Sequence, residues 1–113
     1  MSNDSILVRY VLECISRIEE DASEGRDAFF ASRRIQDAVV RNLQIMSESV
    51  QRLSLEARNL TPEVDWRSLA AFRNVLVHGY LGLDMERIWK SVEEDVPDLK
   101  RSMVDLSDRI GGS

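Results

Sequence analysis

The sequence has few of the residues on which many small hydrolases and secreted domains depend. Cys14 is the only cysteine and His78 the only histidine among 113 residues. A single cysteine excludes an internal disulfide, and the two residues together are too few to form a zinc site within one chain. No Gly-rich phosphate loop and no Gly-x-Ser-x-Gly nucleophile motif occurs. A Ser-His-Asp triad is not excluded by counting alone.

Long apolar runs are also missing. No stretch approaches the roughly 20 apolar residues that span a bilayer. The polar N-terminus, residues 1–4, lacks the basic and apolar blocks of a signal peptide. Hydrophobic residues nevertheless make up 43% of the chain and charged residues 31%, a balance typical of a soluble globular domain. We therefore expect a single cytoplasmic domain, residues 1–113, without a membrane segment.

Acidic residues exceed basic ones and give a net charge of −5, but the excess is uneven along the chain. Residues 1–32 carry 3 basic and 7 acidic side chains, and residues 74–113 carry 5 and 8. Residues 33–73 carry 7 basic and 5 acidic side chains. This mildly basic middle permits contact with phosphate groups without requiring it. Most of the charges are expected to cover solvated helix faces.

Every periodic apolar pattern in the chain has the helical period, and no strand-like alternation occurs. The sequence therefore predicts an all-α fold, a compact bundle of about five helices. The first predicted helix is capped by Ser2 or Asp4 and places Leu7, Val11, Cys14, Ile15 and Ile18 on one stripe. A long second helix runs from about Phe29 or Ser32 to Leu53, and a third runs from about Asp65 to Leu76 and is ended by Gly79. Asp84 caps a fourth helix, and a fifth has Pro97 in its first turn.

Side chains suited to chemistry concentrate at the end of the third predicted helix. Arg73, Asn74, His78 and Tyr80 supply a guanidinium, an amide, an imidazole and a phenol. Asn74 and His78 share a helix face, whereas Arg73 and His78 point about 140° apart on an ideal helix. The latter two converge only if the helix loosens before His78 or if a second subunit supplies the missing group. A lone histidine near a helix C-terminus is also commonly a dipole partner, so spacing alone leaves a structural role open.

With its surroundings, this segment resembles a known family. Arg73 to Tyr80 reads Arg-x4-His-x-Tyr, which is similar to the motif of HepT-like toxins in the HEPN superfamily. The likeness extends over nearly the whole chain. Residues 36–43 resemble the second helix of that family, and Trp66 and the segment 84–99 resemble its layout on either side of the motif.

The resemblance implies a HEPN-like helical domain that forms a homodimer, brings two Arg-x4-His motifs into one cleft, and cleaves RNA without a metal or another cofactor. It implies that Arg73 and His78 are catalytic. It also implies a small MNT-type nucleotidyltransferase antitoxin that transfers AMP to Tyr80 and silences the toxin. The alternative, from another functional class, is a non-catalytic HEPN subunit that binds nucleotide or serves as a scaffold for a partner nucleotidyltransferase.

The residue types suit this chemistry. Cleavage of RNA without metal needs a base near the 2′-hydroxyl, an acid near the leaving oxygen, and positive charge on the phosphate. One histidine in each chain supplies one proton-transfer group, so a dimer supplies two. Arg73 offers a planar set of donors for the phosphate, and Asn74 is placed to support it or to orient His78.

Overall fold

Helices make up most of residues 2–79 and 82–111, which are the residues that the computed structural model describes. No strand occurs in these ranges, so the prediction of an all-α fold is confirmed. The helices are α1 (Ser2–Asp21), α2 (Arg26–Ala31), α3 (Arg33–Gln51), α4 (Leu55–Asn59), α5 (Trp66–His78), α6 (Met85–Lys90) and α7 (Val96–Gly111), and a π-helical turn (Ser91–Asp95) joins the last two.

The core forms where α1 packs against both α3 and α7, and α5 packs against α3. The predicted stripe of α1 is buried, except that Leu7 is only half-buried and Val8 occupies the core beside it. The ring of Phe29 in α2 lies 5.0 Å from that of Trp89 in α6, centroid to centroid, and this contact closes one end of the bundle. The principal buried side chains are Val11, Ile15, Ile18, Val39, Leu43, Val50, Leu76, Met103 and Leu106.

Short polar side chains begin several of the helices, as the sequence predicts. The Ser32 hydroxyl accepts a hydrogen bond from the Ile35 N–H at 3.2 Å, and the long helix therefore starts at the serine end of the predicted range. Asp84 accepts from the Glu86 N–H at 3.0 Å and caps α6. Both caps satisfy backbone donors that have no partner within the helix.

The expected cap at Asp4 is wrong. Asp4 lies inside α1 and is 3% exposed, and its carboxylate binds the start of α4 instead. It accepts from the Ser54 N–H at 2.9 Å and from the Ser54 hydroxyl at 2.6 Å. Burial raises the pKa of Asp4, but the hydrogen bonds from Ser54 oppose it and the net pKa lies below its usual value. The side chain thus joins α1 to the start of α4 through a contact between residues that are 50 positions apart in sequence.

Three details differ from the predicted helix boundaries. Helices α2 and α4 have six and five residues, which is too short to produce a recognisable apolar period. Pro97 lies in the first turn of α7, as predicted, but no break precedes it. The chain stays helical through the π turn, where the Val96 N–H donates to the Ser91 carbonyl five residues earlier. Within the described ranges, no helix is both long and apolar enough to cross a bilayer.

Candidate active site

Helix α5 carries three of the predicted site residues, Arg73, Asn74 and His78, in its last two turns. The helix is regular to its end, because the N–H of Gly79 still donates to the carbonyl of Val75, four residues earlier. The backbone therefore does not loosen before His78. Within one protomer, Arg73 and His78 therefore lie on different sides of α5.

Gly79 ends α5 as predicted, but the reason is the lack of a side chain and not a left-handed backbone. Its φ is −106°, which residues with side chains also adopt. A Cβ at this position would lie 2.8 Å from the carbonyl oxygen of Val75, well inside a normal contact. Gly79 thus lets the chain leave the helix while staying close to its last turn.

One side of α5 faces solvent in the single protomer. Asn74, Val75 and His78 are all exposed, and with Ala71 they follow the three-four spacing of one helix face. Val75 is 51% exposed, although it is apolar and sits between polar neighbours. The predicted pairing of Asn74 and His78 on one face is therefore confirmed.

Arg73 lies on a different side of the helix and is half-buried. Its Nη1 donates to the side-chain oxygen of Asn74 at 3.4 Å, a long hydrogen bond. Its Nε is buried and has no hydrogen-bond partner among the described residues. One protomer thus brings Arg73 and Asn74 together but leaves His78 about 140° away around the helix axis.

Tyr80 lies outside the described residues. Within residues 2–79 and 82–111, no group of three or more histidine, cysteine, aspartate or glutamate side chains is placed to hold a metal ion.

A cavity in the described part of the chain lies apart from the predicted site. It has a volume of about 590 Å³ and opens between α5 and the π turn. Leu69 and Phe72 line it on one side, and Arg87, Ser91 and Asp95 line it on the other. The polar groups satisfy one another: the Arg87 guanidinium lies 4.8 Å from the Phe72 ring centroid and donates to the side chains of Ser91 and Asp95. None of Arg73, Asn74 and His78 lines this cavity.

The sequence analysis missed one residue that contacts α5 next to the predicted site. The side-chain amide of Gln44, in α3, donates a hydrogen bond of 2.9 Å to the carbonyl oxygen of Leu76. Nothing in the sequence distinguishes this glutamine from a solvated polar residue of an amphipathic helix. Its partner is a backbone atom, and backbone atoms leave no trace in a residue pattern.

The chain also matches the model of a known protein family. Residues 11–106 match the HepT-like family model, whose description is "Ribonuclease HepT-like". Because this match covers most of the chain, the protein belongs to the HepT-like ribonuclease family. The resemblance of Arg73 to Tyr80 and its surroundings to that family is thereby confirmed.

Individual relatives agree with this membership. The "Probable ribonuclease HepT" of Thermococcus cleftensis is 37% identical over 91 residues, which cover 80% of this chain and 83% of the relative. The "Gamma-glutamylcyclotransferase and putative RNase" of Methanocaldococcus jannaschii is 32% identical over 106 residues, or 93% of this chain. This chain spans about half of that second relative, 48% of its length. No solved structure matches the chain.

Proposed function

We propose that this chain is a metal-independent endoribonuclease and the toxin of a type II toxin-antitoxin pair, with Arg73 and His78 from the two protomers of a homodimer as its catalytic residues. The observation that carries the proposal is the position of Arg73 and His78, five residues apart at the end of α5, in a chain whose residues 11–106 match the HepT-like ribonuclease family. The guanidinium of Arg73 offers a planar set of donors for the oxygens of an RNA phosphate.

The dimer is the second element of the proposal. Because α5 is regular through His78, Arg73 and His78 of one protomer lie on different sides of the helix, which favours a site that takes one group from each protomer. A two-fold pairing across the exposed face of α5 would bring both motifs into one cleft. The exposed Val75 supports this arrangement, because burying its apolar side chain under a second protomer would stabilise the dimer.

The proposed reaction uses the substrate's own 2′-hydroxyl. The 2′-oxygen attacks the adjacent phosphorus while its proton passes to the imidazole of His78. The bond from phosphorus to the 5′-oxygen breaks, and the second imidazole of the dimer, in its protonated form, gives a proton to that oxygen. Arg73 stabilises the charge that develops on the non-bridging oxygens, supported by Asn74. The products are a 2′,3′-cyclic phosphate and a 5′-hydroxyl, and DNA is not cleaved because it lacks the nucleophile.

Silencing by a nucleotidyltransferase antitoxin completes the proposal. The hydroxyl oxygen of Tyr80 would attack the α-phosphorus of ATP, form a phosphodiester to AMP and release pyrophosphate. Tyr80 lies two residues after His78, so the added nucleotide would place bulk and negative charge beside the arginines. Both effects repel a substrate phosphate.

A cleavage assay tests the ribonuclease proposal. Purified protein is incubated with a mixed-sequence RNA oligonucleotide, the same oligonucleotide with 2′-deoxy sugars, and the RNA in the presence of EDTA. We expect cleavage of the RNA with or without EDTA, cyclic phosphate ends, and an intact deoxy substrate. Arg73→Ala and His78→Ala should each lower the rate by about 10²- to 10⁴-fold. Loss of activity in EDTA would contradict metal independence.

Growth of a bacterial host separates the two functional classes. If the wild-type chain arrests growth and neither Arg73→Ala nor His78→Ala does so, the toxin function is supported. Equal tolerance of all three proteins favours the non-catalytic subunit.

The modification has its own test. The chain is incubated with ATP and an MNT-type nucleotidyltransferase, and intact mass is measured. A gain of one AMP is expected for the wild type and for Tyr10→Phe, but not for Tyr80→Phe. Tyr10 is a suitable control because it is the only other tyrosine and is 50% exposed. AMP on Tyr80→Phe would contradict the assignment.

A further inference from the structure

We infer that Gln44 is a positioning residue of the active site, which holds the last turn of α5 against α3 in the orientation that cleavage requires. Its side-chain amide donates to the carbonyl oxygen of Leu76 at 2.9 Å, across 32 residues of sequence. The inference rests on the proposed ribonuclease function, which it deepens by adding a residue outside the Arg-x4-His segment.

The hydrogen bond matters because of where Leu76 lies in its helix. The carbonyls of the last four residues of an α-helix have no donor within that helix. Helix α5 ends at His78, so the Leu76 carbonyl belongs to this group. Gly79 supplies the donor for Val75, and Gln44 supplies one for Leu76. Two adjacent carbonyls at the end of α5 are therefore fixed, one by the departing chain and one by α3.

The position of the contact links it to the site. Leu76 lies three residues after Arg73 and two before His78, and its side chain is fully buried. Among the described elements, α3 is the helix against which α5 packs most closely. A donor from α3 to this peptide group therefore sets the rotation and height of the turn that carries both site residues. Small errors in such placement lower catalytic rates strongly, because reacting groups must meet within a few tenths of an ångström.

Two isosteric variants separate the hydrogen bond from the packing. Gln44→Met keeps the length of the side chain and removes the donor. Gln44→Glu keeps the shape, has no donor as a carboxylate, and regains one as a carboxylic acid. Gln36 provides matched controls, since its amide donates to the carbonyls of Phe29 and Phe30 at the end of α2 and not to α5. Gln36→Met and Gln36→Glu therefore remove the same kind of bond from the same helix.

Steady-state cleavage of the RNA oligonucleotide is measured for all four variants from about pH 8 down to about pH 5, a range over which a carboxyl group that must donate becomes protonated. We expect Gln44→Met to lower kcat roughly tenfold or more with little change in KM, because the cleft still binds RNA but aligns it poorly. Gln44→Glu should be as slow at the high end of the range and recover toward the wild-type rate as the pH falls. Neither Gln36 variant should change kcat.

A second readout does not depend on activity. The amide exchange rate of Gly79, whose N–H closes the last turn of α5, is measured by NMR in the wild type and in both methionine variants. Gln44→Met should raise that rate, and Gln36→Met should not. If the wild type is active and Gln44→Met has an unchanged kcat, the positioning role is wrong and the proposed ribonuclease function stands. An inactive wild type would overturn the proposed function, and unchanged exchange at Gly79 in Gln44→Met would then overturn the positioning role as well.

Discussion

The N–H of Gly79 donates to the carbonyl oxygen of Val75 at 2.8 Å, and a Cβ on Gly79 would meet that same oxygen at 2.8 Å. Replacement by alanine must therefore displace the backbone of the turn that carries His78. We expect Gly79→Ala to lower the free energy of unfolding by about 1–3 kcal/mol, as overpacking typically does. RNA cleavage should fall further than this loss of stability explains.

Chemical denaturation and the oligonucleotide assay measure the two effects. Gly82→Ala is the matched control, because a Cβ on Gly82 meets nothing within 4 Å. Equal stability and equal cleavage rates in Gly79→Ala and Gly82→Ala would show that the close approach at Gly79 affects neither property.

The exposed face of α5 should tolerate no charge at its apolar position if it joins two protomers. We expect Val75→Arg to convert the dimer into a folded, inactive monomer, because the pairing would bury an unpaired guanidinium near its two-fold equivalent. Analytical ultracentrifugation measures the mass, and circular dichroism checks the helix content. Val104→Arg is the control, since Val104 is 45% exposed on α7. A dimeric, active Val75→Arg would place the interface elsewhere.

Mixing two inactive variants tests whether the site spans two protomers. In a mixed dimer of Arg73→Ala and His78→Ala, one protomer keeps the arginine and the other keeps the histidine. If these groups act across the two-fold axis, the mixture should be at least roughly tenfold faster than either variant alone, but it should stay well below the wild-type rate because only one imidazole remains for the two proton transfers. The mixture is prepared by unfolding and refolding the two chains together. A rate no higher than that of the separate variants, once mixed dimers are verified by mass, would contradict the action of Arg73 and His78 across the two-fold axis.

The contact between Asp4 and Ser54 makes stability depend on pH in a predictable direction. The folded pKa of Asp4 lies below the value near 3.8 of an unperturbed carboxyl. Its contribution is therefore present above pH 3.8 and is lost as the pH falls through the lowered folded value. We expect Asp4→Asn to cost about 1–3 kcal/mol near neutral pH, because a buried donor loses a charged acceptor. The difference in the free energy of unfolding between Asp4→Asn and the wild type should become smaller as the pH falls.

Urea denaturation at a series of pH values measures this effect. Asp37→Asn is the control, because its carboxylate is exposed and only pairs with Arg33 at 3.8 Å on the same helix. If the free energies of unfolding of the wild type and Asp4→Asn differ by the same amount at all pH values, the charge-based explanation is contradicted.

The sequence predicted the features that depend on local chemistry. The apolar period of 3.6 residues identified the long helices, and the predicted cap at Asp84 identified the start of α6, whereas the start of α3 was left open between Phe29 and Ser32. The Arg73 to Tyr80 pattern led to the correct family. These predictions succeeded because each depends on residues within one or two helical turns of one another.

Features that depend on distant partners could not be predicted in this way. Asp4 looked like a cap for its own helix, but its partner Ser54 is 50 residues away. Gln44 binds a main-chain oxygen that is the same in every sequence. Whether α5 would stay regular up to His78 was likewise undecided, because Gly79 is compatible with a loosened turn and with a tight one.

The π turn between α6 and α7 also governs which way these two helices face. A π turn contains about one residue more than an α turn, so everything after it is rotated by about 100° relative to an uninterrupted α-helix. That rotation lets α6 direct Trp89 at α2 while α7 directs its own apolar side at α1. Shortening the segment Ser91–Asp95 by a single residue would rotate α7 by about 100° relative to α6 and turn its apolar side away from α1.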